Sequence, residues 1–222
     1  MEQRHFDKEL LALKERLLLM AARTEALINQ AVDALKKKDL ALAQDILRLD
    51  KEIDAMEVEI EEQAIALIAL HQPAAGDLRF LIGAIKINND LERIGDHGVN
   101  IAESAIRLAS QPELKPLIDI PRMAALATAM LKDSLDSFVG GDHEKARAVC
   151  VRDDQVDDLK DQIFRELLTF MMEKPDTITR AMDLILISRN LERIADLSTN
   201  ISEETIYIAE AKVIKHHCGQ AQ

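Results

Sequence analysis

Eight acidic residues stand in four pairs, and the two members of each pair are four residues apart. The pairs are Asp50 and Asp54, Glu92 and Asp96, Asp153 and Asp157, and Glu192 and Asp196. Residues four apart share one face of a helix, where exposed like charges repel by about 0.2–0.5 kcal/mol. A multivalent cation removes this repulsion, because several carboxylates at about 2.0–2.6 Å can hold one ion. The pattern therefore predicts a site for metal ions that prefer oxygen ligands.

Two asparagines extend this pattern by one helical turn. Asn100 and Asn200 each follow the last acid of a pair by four residues. They are weaker candidate ligands, since an amide can equally bond to a neighbouring helix. A second interpretation also stays open for the acids themselves. A chain with 40 acidic residues contains many such pairs by chance, and a solvated surface without metal explains them too.

The sequence contains no arrangement of residues that is typical of an active site. A Gly-rich phosphate loop, a nucleophile elbow and a Ser/His/Asp set are all missing. A di-iron carboxylate bundle uses two Glu-x-x-His pairs, and only Glu2 and His5 have that spacing. We therefore predict no catalytic residues and no enzyme activity.

The acid pairs recur because the chain is written twice. Residues 88–103 read NNDLERIGDHGVNIAE, and residues 188–203 read SRNLERIADLSTNISE. In the earlier part of each copy the matching residues are 103 positions apart, as Asp153 is from Asp50. In the later part they are 100 positions apart, as Glu192 is from Glu92, so one turn has lost three residues. The repeat spans nearly the whole chain.

Each copy predicts three long helices joined by short turns. The predicted helices are residues 6–36, 39–70, 73–109, 119–139, 142–173 and 176–214. Asp39, Asp142 and Asp176 are expected to cap the N-termini of three of them. The sequence thus predicts an all-α fold of two tandem, similar three-helix bundles, whose six antiparallel helices form one elongated unit. We expect a first bundle at 1–110, a linker at 111–118, a second bundle at 119–214 and a flexible tail at 215–222.

The hydrophobic periodicity separates the acids from the predicted core. Apolar residues recur at spacings of four and three along the third helix, and Leu91 belongs to this seam. Glu92 comes directly after Leu91, so both acids of its pair are expected on the outer face. A second apolar stripe on the same helix predicts that the two bundles pack on each other. It consists of Leu78, Leu81, Ile82 and Ile85.

Charge and hydropathy restrict the class of partner and the location. The formal net charge is −12, which argues against nucleic acid and against direct binding to anionic lipid. The longest apolar run, at 64–70, is too short to span a bilayer, and the sequence MEQRHFDKEL lacks the apolar core of a signal peptide. We expect a cytoplasmic protein that reaches a membrane only through its partners.

The doubled LERIGD/LERIAD motif, each copy preceded by a D-x-x-x-D helix, resembles the PhoU family. The similarity covers roughly residues 6–210, with Ala195 replacing the Gly95 of the first copy as a mild departure, and the tail at 216–222 is not matched. The residues that carry the resemblance are Asp50, Lys51, Asp54, Met56, Glu57, Gln72, Pro73, Asp77, Leu78, Arg79, 91–96, Arg152, Asp153, Asp154, Asp157 and 191–196.

The resemblance implies a fold, a cofactor and a regulatory function. The fold would be two similar three-helix bundles, and the acid pairs would hold multinuclear iron or zinc, with magnesium or manganese as alternatives and a metal-free protein as a further one. The function would be that of a cytoplasmic adaptor, frequently a homodimer. It would couple the ATPase of a phosphate ABC transporter to a phosphate-sensing histidine kinase, and so negatively regulate phosphate uptake and the phosphate-starvation response.

Two other functional hypotheses remain at this point. The first is a metal-binding helical bundle with storage or carboxylate-metal enzyme activity, against which the single Glu-x-x-His pair argues. The second is a helical scaffold with no metal at all.

Overall fold

Six long helices connected by short turns form the structure, a computed structural model that describes residues 2–210 of the chain. They are α1 Glu2–Lys37, α2 Leu40–His71, α3 Ala75–Ala109, α4 Asp119–Gly140, α5 His143–Glu173 and α6 Ile178–Glu210. No β-strand occurs among the described residues, so the all-α prediction is confirmed. The expected end of the last helix at 214 and the tail at 215–222 lie outside them.

Two of the three predicted N-caps are confirmed. The side chain of Asp39 accepts a hydrogen bond from the backbone N–H of Leu42 at 3.0 Å. Asp142 accepts one from the N–H of Lys145, also at 3.0 Å. Each cap satisfies a donor that the first turn of a helix leaves without a partner. The equivalent helices α2 and α5 therefore begin in the same way in both halves.

The prediction for Asp176 is wrong. This residue lies inside a short 3-10 turn, Pro175–Thr177, and α6 begins one residue after that turn. The turn is closed by the hydroxyl of Thr177, which donates to the carbonyl oxygens of Lys174 at 2.7 Å and Phe170 at 3.1 Å. Asp176 instead approaches Arg180 at 3.7 Å.

The predicted seams form the core. Leu91 and Ile94 on α3, and Leu191 and Ile194 on α6, are fully buried. Leu70 continues the four-and-three spacing of apolar residues along α2, three positions after the buried Leu67, but it is 75% exposed. An ideal helix drifts by about 20° per heptad relative to a seven-residue repeat. Over the four heptads of α2 this drift rotates the last seam position towards solvent.

The two bundles pack through α3 on α6 and through α1 on α4. At Gly83 of α3 a Cβ atom would lie 2.5 Å from Cδ1 of Ile208, which shows how closely α6 approaches. Two cross-bundle ion pairs flank this contact, and their carboxylates are almost completely buried. They are Lys86–Glu204 at 2.9 Å and Arg107–Asp183 at 2.7 Å. The bundles thus form one unit.

The second apolar stripe of α3 only partly enters this interface. Leu81 is fully buried and Ile85 is half-buried. Leu78 and Ile82 remain 38% and 42% exposed, so the prediction is wrong for these two residues. The close contact of α3 with α6 at Gly83 leaves this part of the stripe uncovered.

Candidate metal centre

Each half presents an outward-facing surface between its second and third helix, and the predicted acids lie there. We call the surface between α2 and α3 the first groove and the surface between α5 and α6 the second groove. In the first groove Asp50 lies near Gly95 of α3, since a Cβ atom on that glycine would be 3.5 Å from the Asp50 carboxylate. The pairs from the two helices therefore meet across the groove, although they are about 40 residues apart in sequence.

The first acidic cluster contains the four predicted residues and one more. Its members are Asp50, Asp54, Glu57, Glu92 and Asp96. Burial raises the pKa of Asp50 to about 6, and the charges of Asp54 and Asp96 add to the effect. Burial also raises the pKa of Glu92, followed by repulsion from Asp96 and Glu57. Partial desolvation and like charge both disfavour the ionised carboxylates here.

The second acidic cluster brings together the other four predicted residues. They are Asp153, Asp157, Glu192 and Asp196. Burial raises the pKa of Asp153 to about 6, with repulsion from Asp196 and Asp157 as the next causes. The pKa of Asp196 is raised by burial and by the charge of Glu192, although Arg193 opposes this shift.

Lys160 distinguishes the second cluster from the first. Its Nζ atom lies 2.7 Å from the Asp157 carboxylate and 3.3 Å from the Glu192 carboxylate. The hydrogen bond with Asp157 raises the pKa of this lysine. The equivalent position of the first half, 103 residues earlier, is Glu57. A cation of the protein therefore lies between two predicted ligands in one half, whereas the other half adds a fifth acid there.

Arg93 and Arg193 occupy equivalent positions of the repeat, but they form different ion pairs. Arg193 approaches Asp196 at 3.0 Å and so belongs to the second cluster. Arg93 turns to Asp90 at 3.3 Å, outside the first cluster. Sequence reasoning on the shared residues missed Glu57 and Lys160. The signal that finds them is the charge difference at aligned positions of the two copies.

The two asparagines are not equally placed. Asn200 lines a cavity of about 520 Å³ together with Asp153 and Asp196. Asn100 is exposed, and its backbone carbonyl accepts the hydroxyl of Ser104 at 3.0 Å. Among the described residues no side-chain hydrogen bond joins Asn100 to the first cluster. Asn200 is thus the asparagine that shares a cavity with predicted acids in the described part of the chain.

The donor chemistry of both clusters fits hard metal ions, because all the predicted ligands are oxygen donors. The arrangement of the side chains does not form a finished ligand set. Within residues 5–210, no group of three or more His, Cys, Asp or Glu side chains is already placed to hold a metal ion. Binding would therefore require the carboxylates to rotate towards a common point, and the predicted ligands stay a prediction.

Comparison with known proteins agrees with the duplication and the fold. A family model described as the PhoU domain matches residues 17–105 and matches again at residues 120–205. The chain belongs to the PhoU family. The two matches coincide with the two copies of the repeat, so the resemblance that the acid motifs carry is confirmed.

Relatives of similar length support the membership. The chain is 44% identical over 209 residues to the phosphate-specific transport system accessory protein PhoU homolog of Aquifex aeolicus, covering 94% of this chain and 95% of the relative. It is 39% identical to the protein of the same name from Clostridium acetobutylicum, covering 96% and 98%.

Solved PhoU structures have the same fold. The crystal structure of PhoU from Pseudomonas aeruginosa matches with a TM-score of 0.90 and 36% identity, over 93% of this chain and all of that one. The phosphate transport system regulatory protein PhoU from Streptococcus pneumoniae matches with a TM-score of 0.88 and 29% identity, over 95% and 99%. As for membranes, none of the helices within residues 2–210 has the length and apolarity needed for a bilayer span.

Proposed function

We propose that this PhoU-family protein is a cytoplasmic regulator of phosphate transport. It couples the ATPase of a phosphate ABC transporter to a sensor histidine kinase, and it negatively regulates phosphate uptake and the starvation response. The observation that supports this proposal is the match to phosphate-specific transport accessory proteins along almost the full length of both chains. The protein acts without catalysis of its own and associates as a homodimer.

The shape of the molecule is suited to such a role. Helices of 31–36 residues in five of six elements give long, stiff surfaces, on which two partners can bind apart from each other. An adaptor needs only a difference in affinity between two complexes in order to shift a partner between states. The net charge of −12 directs it towards basic protein surfaces and away from nucleic acid.

Gene deletion tests the regulatory proposal directly. In cells that lack the protein, we expect the phosphate-starvation genes to be expressed in phosphate-rich medium, and a plasmid copy of the wild-type gene to restore repression. A reporter fused to a starvation promoter measures this. Normal repression in the deletion strain would reject the proposal. A pull-down with the transporter ATPase and the kinase at high and low phosphate then tests the two partners separately.

The first acidic cluster is also proposed to bind a multivalent cation, iron or zinc by resemblance to the family and magnesium or manganese as alternatives. The observation that favours it is the accumulation of five carboxylates without a basic side chain in ion-pair contact among the described residues. A bound cation would supply positive charge that relieves their repulsion. Elemental analysis of protein purified without chelator tests this proposal. Iron, zinc, manganese and magnesium all at background level would instead support the metal-free scaffold.

A further inference from the structure

A different group of metal-ligating side chains lies at one end of the first bundle, separate from the acidic clusters. His5 and Glu9 lie near the start of α1, and His71 is the last residue of α2. On α2 this histidine lies about 20 Å of helix beyond Glu57, the last acid of the first cluster on that helix. Neither half of the group belongs to the repeated acid pairs.

Two imidazole rings approach the same carboxylate. Nε2 of His71 lies 2.8 Å from one carboxylate oxygen of Glu9, and Nε2 of His5 lies 3.6 Å from the other. His5 and Glu9 are four residues apart and therefore share one face of α1. The centroids of the two imidazole rings are 6.4 Å apart. Three side chains that can bind a metal ion thus converge from two helices.

Packing holds two of these side chains and leaves the third exposed. The His71 ring packs against Phe6, with the ring centroids 5.1 Å apart, and Phe6 belongs to the hydrophobic core. The side chains of His71 and Glu9 are 19% and 35% exposed, whereas that of His5 is 71% exposed. Two ligands are therefore partly positioned before an ion binds, and the third can rotate onto the ion from solvent.

An ordinary ion pair accounts for only part of this arrangement. A protonated His71 is favourable beside a carboxylate and at the C-terminus of a helix. The second imidazole gains little from such a pair, because two protonated rings around one carboxylate repel each other. A divalent cation that replaces the protons binds all three groups at once. The presence of two histidines around Glu9 is thus better explained by a cation than by a proton.

The spacing of the ligand atoms suits a small tetrahedral ion. Bonds of about 2.0–2.2 Å from Zn²⁺ to nitrogen and oxygen place neighbouring ligand atoms about 3.3 Å apart. The two N···O distances at Glu9, 2.8 Å and 3.6 Å, lie on either side of that value. In the described part of the chain no three such side chains already surround one point. Binding therefore draws the exposed His5 ring inward, and a water molecule supplies the fourth ligand.

The second half has no counterpart of this group. α1 contains 36 residues and α4 only 22, and His5 and Glu9 lie in the part of α1 that α4 does not repeat. At the 103-residue offset of these helices, Lys174 is the equivalent of His71. The match to the PhoU domain begins at residue 17, so two of the three ligands precede it. The group is a feature of the first bundle of this chain and not of the repeated design.

We propose that His5, Glu9 and His71 form a binding site for a divalent transition-metal ion, with Zn²⁺ as the ion that suits it best. Imidazole nitrogen favours zinc and its neighbours, whereas ligand sets made only of oxygen favour magnesium and manganese. The bound ion connects the start of α1 to the end of α2 and stabilises this end of the first bundle. The site is independent of the regulatory proposal and of cation binding at the acidic clusters.

Cobalt substitution tests the site, because the visible absorption of Co²⁺ reports the geometry of its ligands. Tetrahedral Co²⁺ with imidazole ligands absorbs strongly, whereas six-coordinate Co²⁺ bound only by oxygen absorbs weakly. The protein is the full chain after chelator treatment, carrying His216→Gln and His217→Gln so that the histidines outside the described residues do not contribute. We expect one equivalent of Co²⁺ to give the strong absorption and added Zn²⁺ to remove it.

Substitutions of the three ligands give the decisive comparison. His5→Gln, Glu9→Gln and His71→Gln should each lower the Co²⁺ affinity that the strong absorption reports by at least about 10-fold. His143→Gln is the matched control and should leave that affinity unchanged. Its Nε2 atom lies 3.6 Å from Glu144, as that of His5 does from Glu9, but this pair lacks a second imidazole among the described residues.

The outcomes separate this site from the acidic clusters. Glu92→Ala with Asp96→Ala removes two acids of the first cluster and should leave the strong absorption intact. Loss of the absorption in that variant would overturn the proposal, as would its persistence in both histidine variants or its absence from the parent protein. Circular dichroism checks the fold of each variant. His5→Gln keeps the test valid if His71→Gln unfolds, because the His5 side chain is mostly exposed.

Discussion

The two acidic clusters lie on equivalent helices and have four acids at equivalent positions, yet they differ in how their charge is compensated. The first cluster has five carboxylates, none of which forms an ion pair with a described basic side chain. The second has four, with Lys160 and Arg193 in ion-pair contact with three of them. The duplicated scaffold thus contains one groove whose acidic charge is partly compensated by its own basic side chains and one whose acidic charge has no such partner among the described residues.

This difference teaches that repetition of a motif does not imply repetition of a site. The acid pairs alone predict two equivalent metal centres. The first cluster has Glu57 where the second has Lys160, and this difference changes the formal charge of the cluster by two. The charge of the surrounding ligands is one of the factors that set the affinity of a carboxylate site for a cation. The comparison therefore predicts unequal behaviour of the two grooves.

The largest expected effect concerns cation binding. Glu92→Ala together with Asp96→Ala should reduce the affinity for Zn²⁺ or Mn²⁺ by about 10–100-fold, because the first cluster loses two ligands. The matched change Glu192→Ala with Asp196→Ala should have less than about a third of that effect in free energy, since Lys160 already occupies the second cluster. Isothermal titration of chelator-treated protein measures both, and equal losses in the two variants would contradict the asymmetry.

Exchanging the two charges sharpens the same comparison. In metal-free buffer Glu57→Lys should stabilise the protein by up to about 1 kcal/mol, because it introduces the counter-ion that the second cluster already has. Lys160→Glu should destabilise it by a similar amount and should raise the cation affinity of the second cluster. Urea unfolding gives both free energies, with Lys132→Glu on the exposed surface of α4 as the control. Stability changes of the same sign in the two exchanges would contradict the prediction.

The pH dependence of the unfolding free energy should reveal the desolvation and the charge repulsion in the first cluster. The pKa of Asp50 is about 6 in the folded protein and ordinarily 3.8, so the folded state binds this proton more tightly between those values. Its unfavourable contribution is absent below about pH 4, and stability falls as pH rises towards 6. Asp50→Asn should therefore stabilise the metal-free protein at pH 7 by about 1 kcal/mol after allowance for solvent screening, and by much less at pH 4.

Urea unfolding of both proteins at the two pH values measures this effect. The quantity to compare is the stabilisation by Asp50→Asn at pH 7 minus the stabilisation at pH 4. This difference cancels any effect of the amide on packing. An Asp50→Asn variant whose stability relative to wild type does not change with pH would show that this carboxylate is solvated normally.

The smallest expected difference concerns the helix caps, where the halves have the same geometry. Asp39→Ala and Asp142→Ala each remove a side-chain acceptor at 3.0 Å from a first-turn N–H. Each should cost about 1 kcal/mol of unfolding free energy. The two values should agree within about 0.5 kcal/mol when they are measured by thermal unfolding at neutral pH. A larger gap would mean that the halves differ in local stability as well as in charge.

The sequence predicts the parts of this molecule that depend on periodicity. Leu91 and Leu191 are buried because a regular apolar repeat has only one stable way to face a bundle, and the glutamate after each must then lie outside. Asp39 is predictable because capping depends on a few adjacent residues. The acid pairs could likewise be assigned to shared surfaces before any side chain was placed.

The features that the sequence did not predict depend on contacts between helices or on a small rotation that accumulates along a helix. The exposure of Leu70 follows from a drift over the length of α2, which local spacing does not show. Ile82 was expected in the interface between the bundles, but its coverage depends on how closely α3 approaches α6. Lys160 could not be predicted from the residues that the two copies share, because it differs from its equivalent in the first copy, Glu57.

The cross-bundle ion pairs have a consequence for assembly of the chain. Two similar bundles in one polypeptide can in principle associate with a copy of themselves, a characteristic error of repeat proteins. The positions equivalent to Asp183 and Glu204 are Gly83 and Ser104. Two first halves brought together would therefore leave Lys86 and Arg107 without carboxylates at the contact.

These four charged residues thus favour the association of each half with the other half over its association with a copy of itself. A chain cut within residues 111–118 should yield fragments that recombine in one-to-one mixtures in preference to pairing with themselves. The duplication supplied two interchangeable modules, and the divergence at their contact removed the interchangeability. The sequence differences between the two halves thus direct their correct association, and they also make the two grooves different.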